Sequence, residues 1–165
     1  MRLLAALLAV LSPAAAPLRQ GSPRLQVRLE ALGGQPSTRL ATRAGAGLGA
    51  AYRFTDQLWA IGDVATRAAP GGGIVSAALG LQATLDATPV SPYLELALAD
   101  FGNRKQVGYS LAARAGLGAD WLFSRAIGVG VVVRSYTAFD PEGGNKQTPT
   151  GLEAVVRLVF TPGAK

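Results

Sequence analysis

The sequence predicts an all-β fold: an eight-stranded antiparallel up-and-down transmembrane β-barrel, preceded by a signal peptide over residues 1–20, with a single barrel domain over 21–165. Three observations predict it. Hydrophobicity alternates with a period of two in segment after segment, and turn residues separate the segments. One face of each segment is apolar, while the other is small or glycine with occasional charges. The chain is apolar as a whole, with 49% hydrophobic and 16% charged residues and a mean hydropathy of +0.27, against roughly 25% charged in an ordinary soluble domain.

The chain opens on Met1-Arg2, an apolar run from Leu3 to Leu11, and Ser12-Pro13-Ala14-Ala15-Ala16. A basic start, a short apolar stretch and a small-residue end are the three parts of a secretory leader. The run is well short of the ~18 residues a spanning helix needs. A short amphipathic or core helix is the alternative. Cleavage after Ala16 would leave Pro17 at the new terminus, so the cleavage site stays open.

Eight strands follow. The first, Arg24 to Leu32, sets Arg24, Gln26, Arg28 and Glu30 against Leu25, Val27, Leu29 and Ala31. The second, Arg39 to Phe54, carries Arg39, Arg43, three glycines and Arg53 on one face and Leu40, Leu48, Tyr52 and Phe54 on the other. In the third, Leu58 to Ala68, Asp63 and Arg67 share a face with Trp59 and Ile61. The fourth, Ile74 to Asp86, opposes Val75, Leu79, Leu81 and Leu85 to Ser76, Gln82, Thr84 and Asp86. The fifth, Tyr93 to Phe101, alternates Leu94, Leu96 and Leu98 with Tyr93, Glu95 and Ala97. The sixth, Val107 to Phe123, sets Leu111, Leu117, Trp121 and Phe123 against Arg114, Gly116, Gly118 and Asp120. The seventh, Ile127 to Phe139, opposes Val129, Val131 and Val133 to Gly128, Gly130 and Arg134. The eighth, Gly151 to Phe160, opposes Leu152, Val156, Leu158 and Phe160 to Glu153, Val155 and Arg157.

Charge placement decides which face looks outward. A soluble sandwich or barrel turns a polar face rich in Lys, Glu, Thr and Ser to water. Here the polar face is mostly Gly and Ala, and Lys occurs only at Lys105, Lys146 and Lys165, outside the strands. Eight strands close on a lumen just wide enough for side chains to fill it. Small residues leave room there for a few long charges, and buried charges must pair. The expected internal network comprises Arg24, Arg28, Arg39, Arg43, Arg67, Arg114, Arg134 and Arg157 with Glu30, Asp63, Asp86, Glu95, Asp120 and Glu153. Arg serves this role better than Lys, because its planar fork binds carboxylates in pairs.

The apolar face then meets lipid. Tyr52, Phe54, Trp59, Trp121, Phe123 and Phe160 fall near strand ends, the pattern of an interfacial aromatic girdle, with ordinary core aromatics as the alternative. The connections at 55–57, 87–91 and 124–126 form one set, and those at 33–37, 70–73, 102–106 and 140–149 form the other. With a periplasmic N-terminus the first set faces the periplasm and the second faces outside.

An exported leader, eight alternating strands and Gly-x-Gly runs leading into aromatics at a turn stand together here. Two runs show it: Gly45-Ala46-Gly47-Leu48-Gly49-Ala50-Ala51-Tyr52-Arg53-Phe54 and Gly116-Leu117-Gly118-Ala119-Asp120-Trp121-Leu122-Phe123. In this the chain resembles small bacterial outer-membrane barrels of the OmpA/OmpX type. The resemblance implies an outer-membrane location and contact with lipid. Such proteins usually end on an aromatic residue, whereas here Phe160 is followed by Thr161-Pro162-Gly163-Ala164-Lys165. Enzymes of this fold, lipid A deacylases and palmitoyl transferases, use His with Ser.

The chain has no His and no Cys, which excludes Ser-His-Asp and Cys-His catalysis, thiolate zinc sites and disulfides. No enzymatic activity and no cofactor are expected. Neither the Gly45-x-Gly47-x-Gly49 run nor Gly71-Gly72-Gly73 is followed by the Lys-Ser/Thr of a phosphate loop. The net charge of +6 is spread along strands rather than gathered in a patch, which speaks against nucleic acid. Arg104, Lys105 and Lys146, on the expected outer loops, offer contacts to lipopolysaccharide phosphates or to an anionic envelope partner. The carboxylates Asp140 and Glu142 share a loop and could bind a cation weakly, but two carboxylates do not make a metal site. The expected role is a structural or surface-interaction barrel with a filled lumen. Its alternatives are a soluble exported lipocalin-like barrel holding a small apolar ligand, a narrow path for hydrophobic molecules, or an envelope-complex subunit.

Overall fold

The computed structural model describes residues 25–36, 43–69, 72–85, 90–102, 107, 110–124, 126–139 and 150–162. Eight strands follow in chain order: β1 (Leu25–Gln35), β2 (Arg43–Arg53), β3 (Leu58–Arg67), β4 (Ile74–Thr84), β5 (Val90–Phe101), β6 (Leu111–Leu122), β7 (Ile127–Ala138) and β8 (Thr150–Phe160). Each pairs antiparallel with its neighbour in sequence, and β8 returns to β1 to close the barrel.

The register fixes the shape. A path across directly opposed residues runs from Leu25 through Tyr52, Ala60, Leu81, Leu96, Ala115, Ser135 and Leu152. It returns to β1 at Gln35, ten residues beyond its start. A stagger of this size tilts eight strands by about 40°. An 11-residue strand such as β2 then rises about 28 Å, enough for the ~25 Å apolar band of a membrane barrel.

Alternation sorts the side chains as the pleat requires. The outward leucines and valines are exposed all round the wall, from Leu48 and Val64 through Leu79 (73%) and Leu117 (64%) to Val156. The inward face is buried. Its apolar part lies in three clusters: Ile74, Phe101 and Tyr136 with small residues near one rim; Leu32, Tyr93, Val132 and Val155 at mid-depth; and Ala51, Trp59 and Ile61 near the other rim.

Trp59 corrects one expectation. It is not a girdle residue but an inward one, only 5% exposed. Its parity is that of Asp63 and Arg67, and a strand cannot turn those charges inward without carrying Trp59 with them. The Arg53 guanidinium lies 5.4 Å from the centre of its ring. Tyr52, Phe54, Trp121 and Phe123 do face outward and are exposed, with the Trp121 and Phe123 rings 4.9 Å apart, and Phe160 is half-buried. These five lie on the rim that carries the start of β1 and the end of β8, here termed the terminal rim.

Three strand limits also differ. Gly33-Gly34-Gln35, expected in a turn, continues β1 and pairs with both β2 and β8. Gly34 has φ +138°, and a Cβ there would meet the backbone of Leu152 and Glu153, so this glycine serves the closing seam rather than a turn. Val90-Ser91 belongs to β5, where the Pro92 carbonyl accepts a hydrogen bond from the Leu85 amide at 2.9 Å. β6 starts at Leu111 rather than at Val107, whose side chain is buried at the rim opposite the termini. The leader over 1–20, the segment 39–42 of the expected second strand, and Arg104, Lys105, Asp140, Glu142 and Lys146 lie outside the described residues.

Candidate functional site

The chemistry of the molecule is concentrated in its lumen, which is polar: among the described residues, every strand except β2 contributes at least one buried polar or charged side chain to it. Of the residues expected there, Arg28, Glu30, Asp63, Arg67, Glu95, Arg114, Asp120, Arg134, Glu153 and Arg157 all point inward, and nine of these ten are buried. Asp63 is half-buried as a residue, but its carboxylate side chain is 8% exposed. Arg24, Arg39 and Asp86 lie outside the described residues, as does the side chain of Arg43.

The hydrogen-bonded ion pairs join strands that are not neighbours in the wall, while Arg114 Nε also lies 3.6 Å from Glu95 Oε1 across the β5–β6 pair. Near the rim opposite the termini, Arg67 on β3 donates through Nε and Nη2 to both oxygens of Glu153 on β8, at 2.6 and 3.0 Å. Its Nη1 donates to Ser76 Oγ at 2.6 Å, and the Tyr136 hydroxyl donates to the same Glu153 at 2.8 Å. At mid-depth, Arg114 on β6 forks onto Asp63 on β3 at 2.8 and 2.6 Å. Arg134 on β7 forks onto Glu30 on β1 at 2.6 and 2.7 Å and sends Nε to Glu95 on β5 at 2.6 Å. Toward the terminal rim, Arg157 on β8 forks onto Asp120 on β6 at 2.8 and 2.6 Å and lies 4.3 Å from the centre of the Tyr93 ring.

Fork-on-carboxylate geometry is the strong form of the ion pair, since two parallel charged hydrogen bonds fix both partners. Room for it comes from the small residues on the same face. Glu95 faces Gly116 across the β5–β6 pair, and a Cβ at Gly116 would collide with the Glu95 side chain. Of the five inward carboxylates among the described residues, Glu30, Asp63, Asp120 and Glu153 have both oxygens engaged by guanidiniums. Among the described residues no group of three potential ligands is placed to hold a metal ion.

Some lumen residues carry no sequence signal beyond their parity. Tyr136 shares a face with Arg134, and Tyr93 with Glu95, yet neither stands out until its hydroxyl is seen to bond, Tyr136 to Glu153 and Tyr93 to the Val131 carbonyl at 3.3 Å. Ser76, Gln26 and Gln82 are of the same kind.

No family model matches the chain, and no curated protein matches it. Its fold does match solved structures. Neisserial surface protein A (NspA) superposes with a TM-score of 0.61 at 15% identity, over 83% of this chain and 95% of that one. The outer membrane enzyme PagL gives 0.55 at 16% identity, over 81% and 98%. The N-terminal β-barrel domain of Pseudomonas aeruginosa OprF gives 0.54 at 17% identity, over 82% and 97%. The shared feature is the fold, a closed eight-stranded antiparallel barrel.

Proposed function

We propose that the protein is a bacterial outer-membrane barrel with a side-chain-filled lumen and a structural or surface-interaction role, and that it is neither an open pore nor an enzyme. The observation that carries this reading is the set of cross-lumen bridges. Arg134 ties β7 to β1 and β5, Arg114 ties β6 to β3, and Arg67 ties β3 to β8. A hydrated ion passing through would have to break several charged hydrogen bonds in series. The exposed wall of leucine and valine supports membrane residence over the soluble lipocalin-like alternative, which needs those side chains inside. The absence of His from the whole sequence argues against the His-dependent acyl chemistry found among barrels of this fold.

With the termini periplasmic, the opposite rim faces outside, and the basic residues Arg104, Lys105 and Lys146 are proposed to meet lipopolysaccharide phosphates or an acidic envelope partner there. The test is conductance. Purified barrel in a planar bilayer is expected to give no stable unitary steps, and large, long-lived single-channel currents would overturn the filled-lumen reading.

A further inference from the structure

The outer wall is not smooth at the terminal rim. There a row of directly opposed residues runs from Leu58 on β3 through Ala83 on β4 and Leu94 on β5 to Leu117 on β6. Ala83 is the one short side chain in that row, and along its own strand it stands between the outward Leu81 and Leu85. An apolar groove of about 230 Å³ lies over this gap, lined by Leu58, Ala83, Leu85, Pro92, Leu94 and Leu117. Leu85, Leu94 and Leu117 are exposed, so the groove opens outward and not into the lumen. Behind it the ladder is intact. The Leu85 amide donates to the Pro92 carbonyl at 2.9 Å, and the Thr84 amide to the Gln57 carbonyl at 2.8 Å. The groove is a recess in the wall and not a passage through it.

An apolar recess holds water poorly, and an empty one forfeits the dispersion contacts of its lining. A cavity of roughly 150 Å³ is already enough to take up a benzene, so this one has room for a stretch of hydrocarbon chain. Its level in the membrane is marked by exposed aromatics on either side, Tyr52 and Phe54 from β2 and Trp121 and Phe123 from β6. Its lip is polar and preformed: Thr55 Oγ1 accepts the Leu58 amide at 2.9 Å and the Gln57 amide at 3.3 Å, and the Gln57 side chain is exposed. Asp56 lies in this same turn, half-buried, whereas the Arg53 guanidinium turns to the ring of the inward Trp59. We propose that the groove is a lipid site that seats one acyl chain of a phospholipid with an ammonium headgroup, from the leaflet at the terminal rim. The chain fills the gap over Ala83, Gln57 meets ester or phosphate oxygens, and the ammonium meets Asp56. A free fatty acid would instead bring its carboxylate against Asp56. The site rests on the membrane reading of the wall, and it adds to that reading one position where a lipid is held rather than exchanged freely.

The test is retention of lipid by the full-length barrel, folded in detergent micelles doped equally with phosphatidylethanolamine, phosphatidylglycerol and palmitate, and read by native mass spectrometry. The barrel is expected to keep one phosphatidylethanolamine through detergent exchange. Ala83→Trp, which fills the groove, should lower that retention several-fold. Ala50→Trp, the same change at an exposed outward position two strands away on β2, should leave it unaltered. Boiling-dependent gel migration checks that each variant has closed. Where Ala83→Trp does not close, Ala83→Leu, which completes the leucine row, replaces it. Failure to retain lipid, equal loss in the Ala83 and Ala50 variants, phosphatidylglycerol or palmitate held as readily, or a barrel dimer that disappears with Ala83→Trp would each overturn the site. The first two outcomes leave the membrane reading standing, because a wall that meets lipid without a seat for it gives the same closed barrel.

Discussion

Arg157 shows how much one side chain carries in so narrow a lumen. Its fork on Asp120 has both partners out of water, with side-chain exposures of 0% and 8%, and its face covers Tyr93. Removing one member of such a pair leaves a buried charge unanswered, which costs more than the pair itself contributes. Asp120→Asn is therefore expected to destabilise the barrel by about 3–5 kcal/mol. Asp120→Asn combined with Arg157→Gln leaves no orphan charge and should cost less than the two single changes summed, with a coupling of about 0.5–3 kcal/mol. Urea midpoints of the refolded single and double variants measure this. Strict additivity would mean that the two groups do not depend on each other.

Strands rather than residues explain what was legible beforehand. Period two is a property of the pleat, so a charge at one position assigns the face of the whole strand. Arg67 and Asp63 were enough to orient β3, and they oriented Trp59 with it, although its place near a strand end suggested the membrane interface. The strand limits were harder to read, because Gly33-Gly34 and Ser91-Pro92 are turn residues by local preference. In the barrel they lie in strands because neighbouring strands pair with them, Gly33-Gly34 from both sides and Ser91-Pro92 from β6, and only tertiary structure supplies those partners. Which Arg would meet which carboxylate was also beyond the sequence, since it depends on the ten-residue stagger that brings β3 toward β8 and β6 toward β3. The face assignment has a direct consequence on the lipid side. Leu79 is the sixth residue of β4 and stands at mid-wall, 73% exposed, while Leu25 begins β1 at the rim. Leu79→Arg is expected to cost about 2–4 kcal/mol in a bilayer, whereas Leu25→Arg should cost about 0–1 kcal/mol. Unfolding from lipid vesicles reads both, and equal small effects would mean that the leucine wall does not face lipid.

For the whole molecule, closure sets how it comes apart. Seven of the eight seams join strands adjacent in sequence, and the eighth joins β1 to β8, pairing Val27 through Gln35 with 152–160. Once that seam forms, no strand is left with an open edge. Detergent can solvate the apolar exterior but finds no edge at which to begin. The cross-lumen forks add to this, because opening any one seam also separates strands that the forks hold from inside. Unboiled protein extracted from membranes is therefore expected to stay closed in dodecyl sulfate and to migrate as a compact band, and boiling should shift it to the position of the unfolded chain. The Asp120→Asn barrel should make the same shift at a lower temperature, since it opens from a weakened interior. A chain recovered from the soluble fraction with no boiling-dependent shift would mean that the leucine face is covered by protein instead of lipid, and the charged lumen would then have to be explained in a water-soluble barrel.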